Sequence, residues 1–255
     1  MTTRSIHLKE NIGSRTERYS RKSSYKWKWV MIPGLLLLAT FLLITIAGER
    51  LVGDEQLAQL DALKKEENYV PLTQLPEYVP QAFVSIEDHR FDYHFGVDPI
   101  SLTRALFIDL KTQSFAQGGS TITMQLVKNQ FLTQDKSLGR KVKEMLMALQ
   151  IERHYTKDEV LEMYLNTIYF GHGTYGLAEA AQLYFDKDLT AEDSLTLKET
   201  AILASLPKAP EVYSPLKNPQ LNSERQAIVL NKMEEFGHIT EEERNKAVWT
   251  DEQTE

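Results

Sequence analysis

VPQAFVSIEDHRFDYHFGVDPI, residues 79–100, changes character twice within a short span. Val79, Ala82, Phe83 and Ile86 recur at i, i+3, i+4 and i+7, which predicts one apolar face of an α-helix carrying Glu87 at its end. Glu87, Asp88, Asp92 and Asp98 then crowd around His89, His94, Phe91, Tyr93 and Phe95. Asp98-Pro99 closes the cluster. Aspartate is a favoured N-cap and proline suits the first helical position, so a second helix is expected over PISLTRALFIDLK. Such a cluster between two helices has three readings: a metal site, a catalytic acid or base, or a solvated turn. His89 and His94 stand five apart, with neither an HExxH pair nor an Asp-x-Asp calcium loop around them. The spacing therefore does not demand a metal.

Helix signals continue along the chain. Thr156…Glu159, Thr196…Glu199 and Thr240…Glu243 each fit the capping box, in which the threonine oxygen and the glutamate satisfy free backbone amides. Gly171 and Gly237 stand where helices are expected to stop. No alternating strand pair joined by a two-residue turn is visible, and no internal repeat, so a mainly α protein is expected. GHGTYG, residues 171–176, satisfies the dinucleotide fingerprint G-x-G-x-x-G. It follows a helical pattern, EVLEMYLNTIYF, where the fingerprint needs a strand, so the glycines are expected in a helix-to-helix turn.

The 255 residues suffice for one ordinary core with appendages, and the absence of cysteine excludes disulfides, thiolate nucleophiles and thiolate zinc sites. Residues 1–28 carry eight Lys/Arg against Glu10 and Glu17, a net +6 that leaves −13 on the rest of a chain whose total is −7. An acidic body argues against a nucleic-acid partner. From Val30 to Gly48 no residue is charged. As a helix this run would span roughly 28 Å at about 1.5 Å per residue, close to the hydrocarbon thickness of a bilayer. Trp27 and Trp29 stand at its edge, as interfacial aromatics do. The expectation is a basic cytoplasmic arm over 1–29, a transmembrane signal anchor over 30–48, a polar juxtamembrane connector over 49–75, an outward-facing domain over 76–248 and a tail over 249–255.

Two further segments carry candidate chemistry. GGSTITMQLVKNQF, residues 118–131, opens a helix with two glycines and hydroxyls. Free amides there, with Ser120, Thr121 and Thr123, can hold an anion, and Lys128 lies further along; a plain helix start reads the same way. In SLGRKVKEMLMALQIERHY, Val142, Met145, Leu146 and Leu149 form one apolar face. Met147, Ala148 and Ile151 cover the other side, near Arg140 and Glu144, and a helix apolar nearly all round is normally buried. Arg140 and Glu144 are four apart and share a face. They form either a structural bridge or a second acidic group in a cation-lined cleft.

Read in order, EDHRFDYHFGVD, GGSTITMQL, RKVKEMLMALQIE, KDEVLEMYLNTIYFG and RQAIVLNKM resemble the five ordered motifs of the peptidoglycan glycosyltransferases. These are the transglycosylase domains of class A penicillin-binding proteins and their monofunctional relatives. LPKAPEVYSPLKNP is similar to the family's stretch before the last motif, and the resemblance covers about residues 70–236. With little chain beyond it for a transpeptidase domain, the monofunctional type is expected. The resemblance implies a lysozyme-like helical fold with a small membrane-proximal lobe, and lipid II and a growing glycan chain as substrates. It further implies a divalent cation, Mg2+ or Mn2+, whose ligands are unknown, and a place in the bacterial plasma membrane beside other cell-wall synthesis proteins. Glu87 would be the general base and Glu144 would assist near the diphosphate or metal. Arg104, Lys128, Lys136 and Arg140 match basic positions associated with the diphosphates and donor; Ser120, Gln125 and Lys208 match polar positions lining the cleft. Met124 departs from the family's S-T-I-T-Q-Q, replacing an amide with a thioether that cannot donate its hydrogen bonds. That departure is the sequence's only support for a rival reading, a catalytically weak scaffold for the division or elongation machinery. A third reading is a hydrolase sharing the helical fold.

Overall fold

The computed structural model describes residues 32, 33, 35, 39, 43–112, 119–133, 137–191 and 193–248. The chain divides into a unit over residues 1–47 and a compact unit over 48–255. Among the described residues no helix is long and apolar enough to cross a membrane. The span expected at 30–48 lies largely outside them, and the arm 1–29 and tail 249–255 lie wholly outside.

The second unit is mainly α. Its elements run α1 (Asp54–Leu63), α2 (Tyr78–Glu87), α3 (Pro99–Thr112), α4 (Ile122–Phe131), α5 (Leu138–His154), α6 (Lys157–Leu165), β1 (Tyr169–Gly171), β2 (Thr174–Tyr175), α7 (Leu177–Phe185), α8 (Leu197–Ala204), α9 (Pro219–Glu235) and α10 (Glu241–Ala247). The apolar positions of α2 do what their spacing predicts. Val79, Ala82 and Phe83 are buried, and Glu87 is the last helical residue. α2 packs on α8 and α9, while α4 packs on α5 and α6, which gives the core two adjoining sets of helices. Phe83 meets Phe170 edge to face at 6.0 Å, and each such buried ring contributes about 1.5–3 kcal/mol. The three capping boxes form at the starts of α6, α8 and α10. Gly237 ends α9 in a left-handed conformation, with His238 N donating to Met233 O.

Three expectations change. First, α6 ends at Leu165, well before Gly171. Asn166 clamps the backbone of Val70, accepting from its N–H at 2.8 Å and donating to its carbonyl at 2.9 Å, which takes the chain out of the helix. The β-branched and aromatic residues that follow form β1, and GHGTYG folds as a hairpin in which both central residues, His172 and Gly173, have positive φ. Secondly, residues 49–75 belong to the body of the unit rather than forming a connector. Val52, Leu60, Leu63 and Val70 are buried in its core, and Glu162 accepts from Tyr69 Oη and Leu72 N at 2.8 Å each. Leucines three apart hide an amphipathic helix inside a polar stretch. Thirdly, α5 buries the 144/147/148/151 stripe, whereas Val142 on the other apolar face is exposed.

Gly96 pins the first motif onto α5. Its φ is +83°, and a Cβ there would lie 2.4 Å from Ala148 O, a backbone atom with no freedom to retreat. Gly96→Ala is expected to destabilise the fold by at least about 2 kcal/mol in chemical unfolding, from left-handed strain plus the clash.

Candidate active site

The cluster after α2 is a clip built on Asp88 and Asp98; Asp92 is exposed, and Glu87 is bonded neither to backbone nor to a cation among the described residues. Asp88 is buried; His94 Nε2 lies 3.0 Å from Oδ2, which also accepts from Ile122 N at 3.0 Å. The side chain thus supplies the negative charge that the N-terminus of α4 attracts. Thr121 caps the same helix, accepting from Met124 N at 3.1 Å and donating to Gly96 O at 2.6 Å. Arg90 holds Asp98 through Nε at 3.0 Å and Nη2 at 2.6 Å. Burial alone would raise the Asp98 pKa, but hydrogen bonds from Arg90, Ser101 and Ile100 outweigh it and hold it at about 2. His89 accepts from Arg90 Nη1 at 2.8 Å and stacks on Phe236 at 5.0 Å. Its pKa is lowered by burial and then by the charges of Arg90 and Arg104. Phe91, His94 and His89 therefore dock the loop, whereas Tyr93 and Phe95 are exposed.

Glu87 is different. It is half-buried at the end of α2, and its Oε2 accepts from Gln125 Nε2 at 2.9 Å. Burial raises its pKa; the Gln125 hydrogen bond and the charges of Arg225, Lys128 and Lys208 restrain the rise. Gln125 and Lys128 lie one turn apart on α4 and so share a face. Burial lowers the Lys128 ammonium pKa; Glu144 opposes that, Arg140 and Lys141 reinforce it, and Glu87 opposes it again. Lys128 thus stands within electrostatic reach of both carboxylates.

Glu144, only 1% exposed, spends both oxygens on cations. Oε2 accepts from Arg140 Nη1 at 2.8 Å and Oε1 from Lys141 Nζ at 2.8 Å. Lys141 also donates to Ser120 Oγ at 2.6 Å, joining the second and third motifs. Beside Arg140 lies a cavity of about 410 Å³ between the end of α4 and the start of α5, lined by Phe131, Leu132, Thr133, Ser137, Gly139 and Lys143 as well. The arrangement offers a half-buried carboxylate near a group of cations, of which Lys128 has its ammonium pKa lowered by burial.

The structure thus gathers Glu87, Glu144, Ser120, Gln125, Lys128, Arg140 and Lys208 into one electrostatic neighbourhood. Arg104 is exposed on α3, and its charge acts on His89. Lys136 lies outside the described residues. Thr121 and Thr123 are not available to an anion: both are buried, the first capping α4 and the second donating to Glu152. Met124 is fully buried in the core, so the thioether packs where the sequence suggested a cleft position. Sequence reasoning missed Lys141 and Arg225. Lys141 is three residues from Glu144, a spacing that shares a face as well as four does. Arg225 interrupts the buried stripe 222/226/229/233 of α9, where a charged residue is itself a signal. Buried, it donates from Nε to Ser205 O at 3.3 Å, sits 5.3 Å from the Tyr213 ring centroid, and is the first among the charges acting on Glu87.

The transglycosylase family model matches residues 54–234, and the chain belongs to that family. Penicillin-binding protein 1A of Aquifex aeolicus is 47% identical over 180 residues, covering 71% of this chain and 24% of that protein. Penicillin-binding protein 1F of Bacillus subtilis is 44% identical over 204 residues, covering 79% and 28%. The chain therefore spans about a quarter of the length of these two relatives. A Cupriavidus necator protein, provisionally named a transglycosylase, is 43% identical over 226 residues, 86% of this chain and 95% of its own length.

Proposed function

We propose that this chain polymerises lipid II into peptidoglycan glycan strands by inverting glycosyl transfer. Glu87 takes the proton from the C4 hydroxyl of the acceptor GlcNAc. The freed oxygen attacks C1 of the growing chain's MurNAc, the C1–O bond to undecaprenyl diphosphate breaks, and the α-linked donor becomes a β-1,4 product. The observation that carries this reading is the pairing of a half-buried, Gln125-bonded Glu87 with cations on several elements around it. A positioned base contributes about 10²–10⁴-fold, and fixed cations stabilise charge developing on a departing diphosphate. Glu144 is buried with a cation on each oxygen, an environment that holds it ionised, so the role assigned to it is to keep Arg140 and Lys141 in place. Inversion requires the base and the leaving group on opposite faces of the sugar.

A divalent cation enters the proposal with its substrate. Asp88 is committed to His94 and Ile122, and Glu144 to two cations, so the carboxylates here fit a protein-built metal cage poorly. Magnesium typically keeps few protein ligands and rides on phosphate oxygens. The lysozyme-like lobed architecture, the 30–48 anchor, an extracytoplasmic catalytic domain at the plasma membrane and contacts with other cell-wall synthesis proteins belong to the same proposal. The anchor is apt because both substrates carry lipid tails.

The test is the full chain in detergent with lipid II and Mg2+ or Mn2+. Glycan strands are expected, with synthesis falling when a chelator removes the cation. Release of fragments from finished peptidoglycan, with no polymer formed, would overturn the reading in favour of a hydrolase. The scaffold reading loses its only support with Met124 in the core.

A further inference from the structure

We propose that Tyr164 is a positioning residue for the base, its hydroxyl locking the Gln125 side chain so that the amide NH2, and not the carbonyl, faces Glu87. The inference rests on the reading of Glu87 as base. Tyr164, on α6, is fully buried. Its hydroxyl donates to Gln125 Oε1 at 3.5 Å, and Gln125 Nε2 donates to Glu87 Oε2 at 2.9 Å. Three helices, α6, α4 and α2, thus contribute to one chain of hydrogen bonds ending on the carboxylate.

A glutamine side chain has a donor end and an acceptor end of nearly the same shape, and packing alone distinguishes them poorly. A carboxylate does distinguish them: the NH2 stabilises its charge, whereas a carbonyl would repel it. Tyr164 supplies the matching selection at the far end. Burial, followed by the negative charges of Glu87 and Asp88, pushes its phenol pKa well above the ordinary value, so it remains a donor at every working pH. The phenol oxygen could also accept, but turning the amide over would leave the buried O–H of Tyr164, whose acceptor is Gln125 Oε1, without one. The 3.5 Å separation is long for a hydroxyl–carbonyl bond, so the effect is modest.

Tyr164→Phe removes the hydroxyl, keeps the ring in the core and leaves the half-buried Gln125 carbonyl to water, so the fold is retained, as thermal unfolding will show. Losing the lock lets Gln125 turn and weakens its bond to Glu87. Glu87 remains surrounded by Arg225 from α9, Lys128 from α4, Lys208 from the segment after α8 and the adjacent Asp88, none of which is altered. The measurement is the titration of the Glu87 carboxyl carbon by 13C NMR in the full chain in detergent, assigned by its loss in Glu87→Gln. The expected result is a midpoint shifted to higher pH in Tyr164→Phe. The acid limb of kcat/KM for lipid II should shift likewise, with kcat lowered about two- to fivefold near neutral pH, the scale of one neutral hydrogen bond. In a Gln125→Ala background the same substitution should shift nothing further. An unchanged Glu87 titration in folded Tyr164→Phe, or an equal shift in the Gln125→Ala background, would overturn the proposal. The NMR titration needs no turnover. A shifted midpoint in a protein that makes no glycan would uphold the positioning and sink the proposed reaction.

Discussion

Glu87→Gln is expected to reduce polymerisation of lipid II by about 10²–10⁴-fold while leaving the fold as stable or more so. The amide keeps the shape of the carboxylate and can still bond to Gln125, but it cannot accept a proton. Burial raises the Glu87 pKa in the folded state above its ordinary 4.5. The folded protein therefore binds this proton more tightly than the unfolded chain does, and stability falls as pH rises through the interval between the two values. Above that interval the ionised group is a standing cost that glutamine removes. The rate behaves oppositely, because only ionised Glu87 can act as base. Activity of the wild type should fall as pH drops through the raised value, giving an acid limb above that of an unperturbed glutamate. Rate measurements on lipid II paired with thermal unfolding at neutral pH check both halves. Normal polymerisation by the variant would refute the assignment.

Glu144→Gln should behave in the opposite manner, losing stability as well as activity. Its carboxylate holds Arg140 and Lys141 from both sides, and removing one partner of a buried ion pair typically costs about 3–5 kcal/mol. Both cations keep some access to water, with side chains 19% and 31% exposed, so a loss nearer about 2 kcal/mol is expected. The effect on rate comes through Lys128. Glu144 is the main influence keeping that ammonium protonated against burial. Without it Lys128 should surrender its proton at lower pH, moving the basic limb of kcat down, and polymerisation should fall about tenfold or more as the cations proposed to face the departing diphosphate lose their arrangement. An unfolding midpoint and a basic limb both unchanged would show that Glu144 does not organise these cations.

The two glutamates illustrate what one-dimensional reading reaches. The helical class, the capping boxes, the N-cap at Asp98, the delivery of Glu87 at the end of α2 and the Arg140–Glu144 pair all depend on residues within a turn or two of one another. Backbone sterics and side-chain spacing settle such features locally, and a sequence displays them directly. Glu87 and Asp88 stand side by side, and no local rule tells the proposed base from the clip. Their difference arises because Asp88 meets an amide 34 positions away and Glu87 an amide side chain 38 positions away. The burial of Met124, the engagement of Thr121 and Thr123, the Lys141 bridge and the placing of Arg225 near Glu87 are of the same kind. So are the hairpin at GHGTYG, which Asn166 permits by clamping Val70, and the inclusion of residues 49–75 in the core. Desolvation, charge and hydrogen-bond partners are properties of a neighbourhood, and only the packed chain decides who the neighbours are.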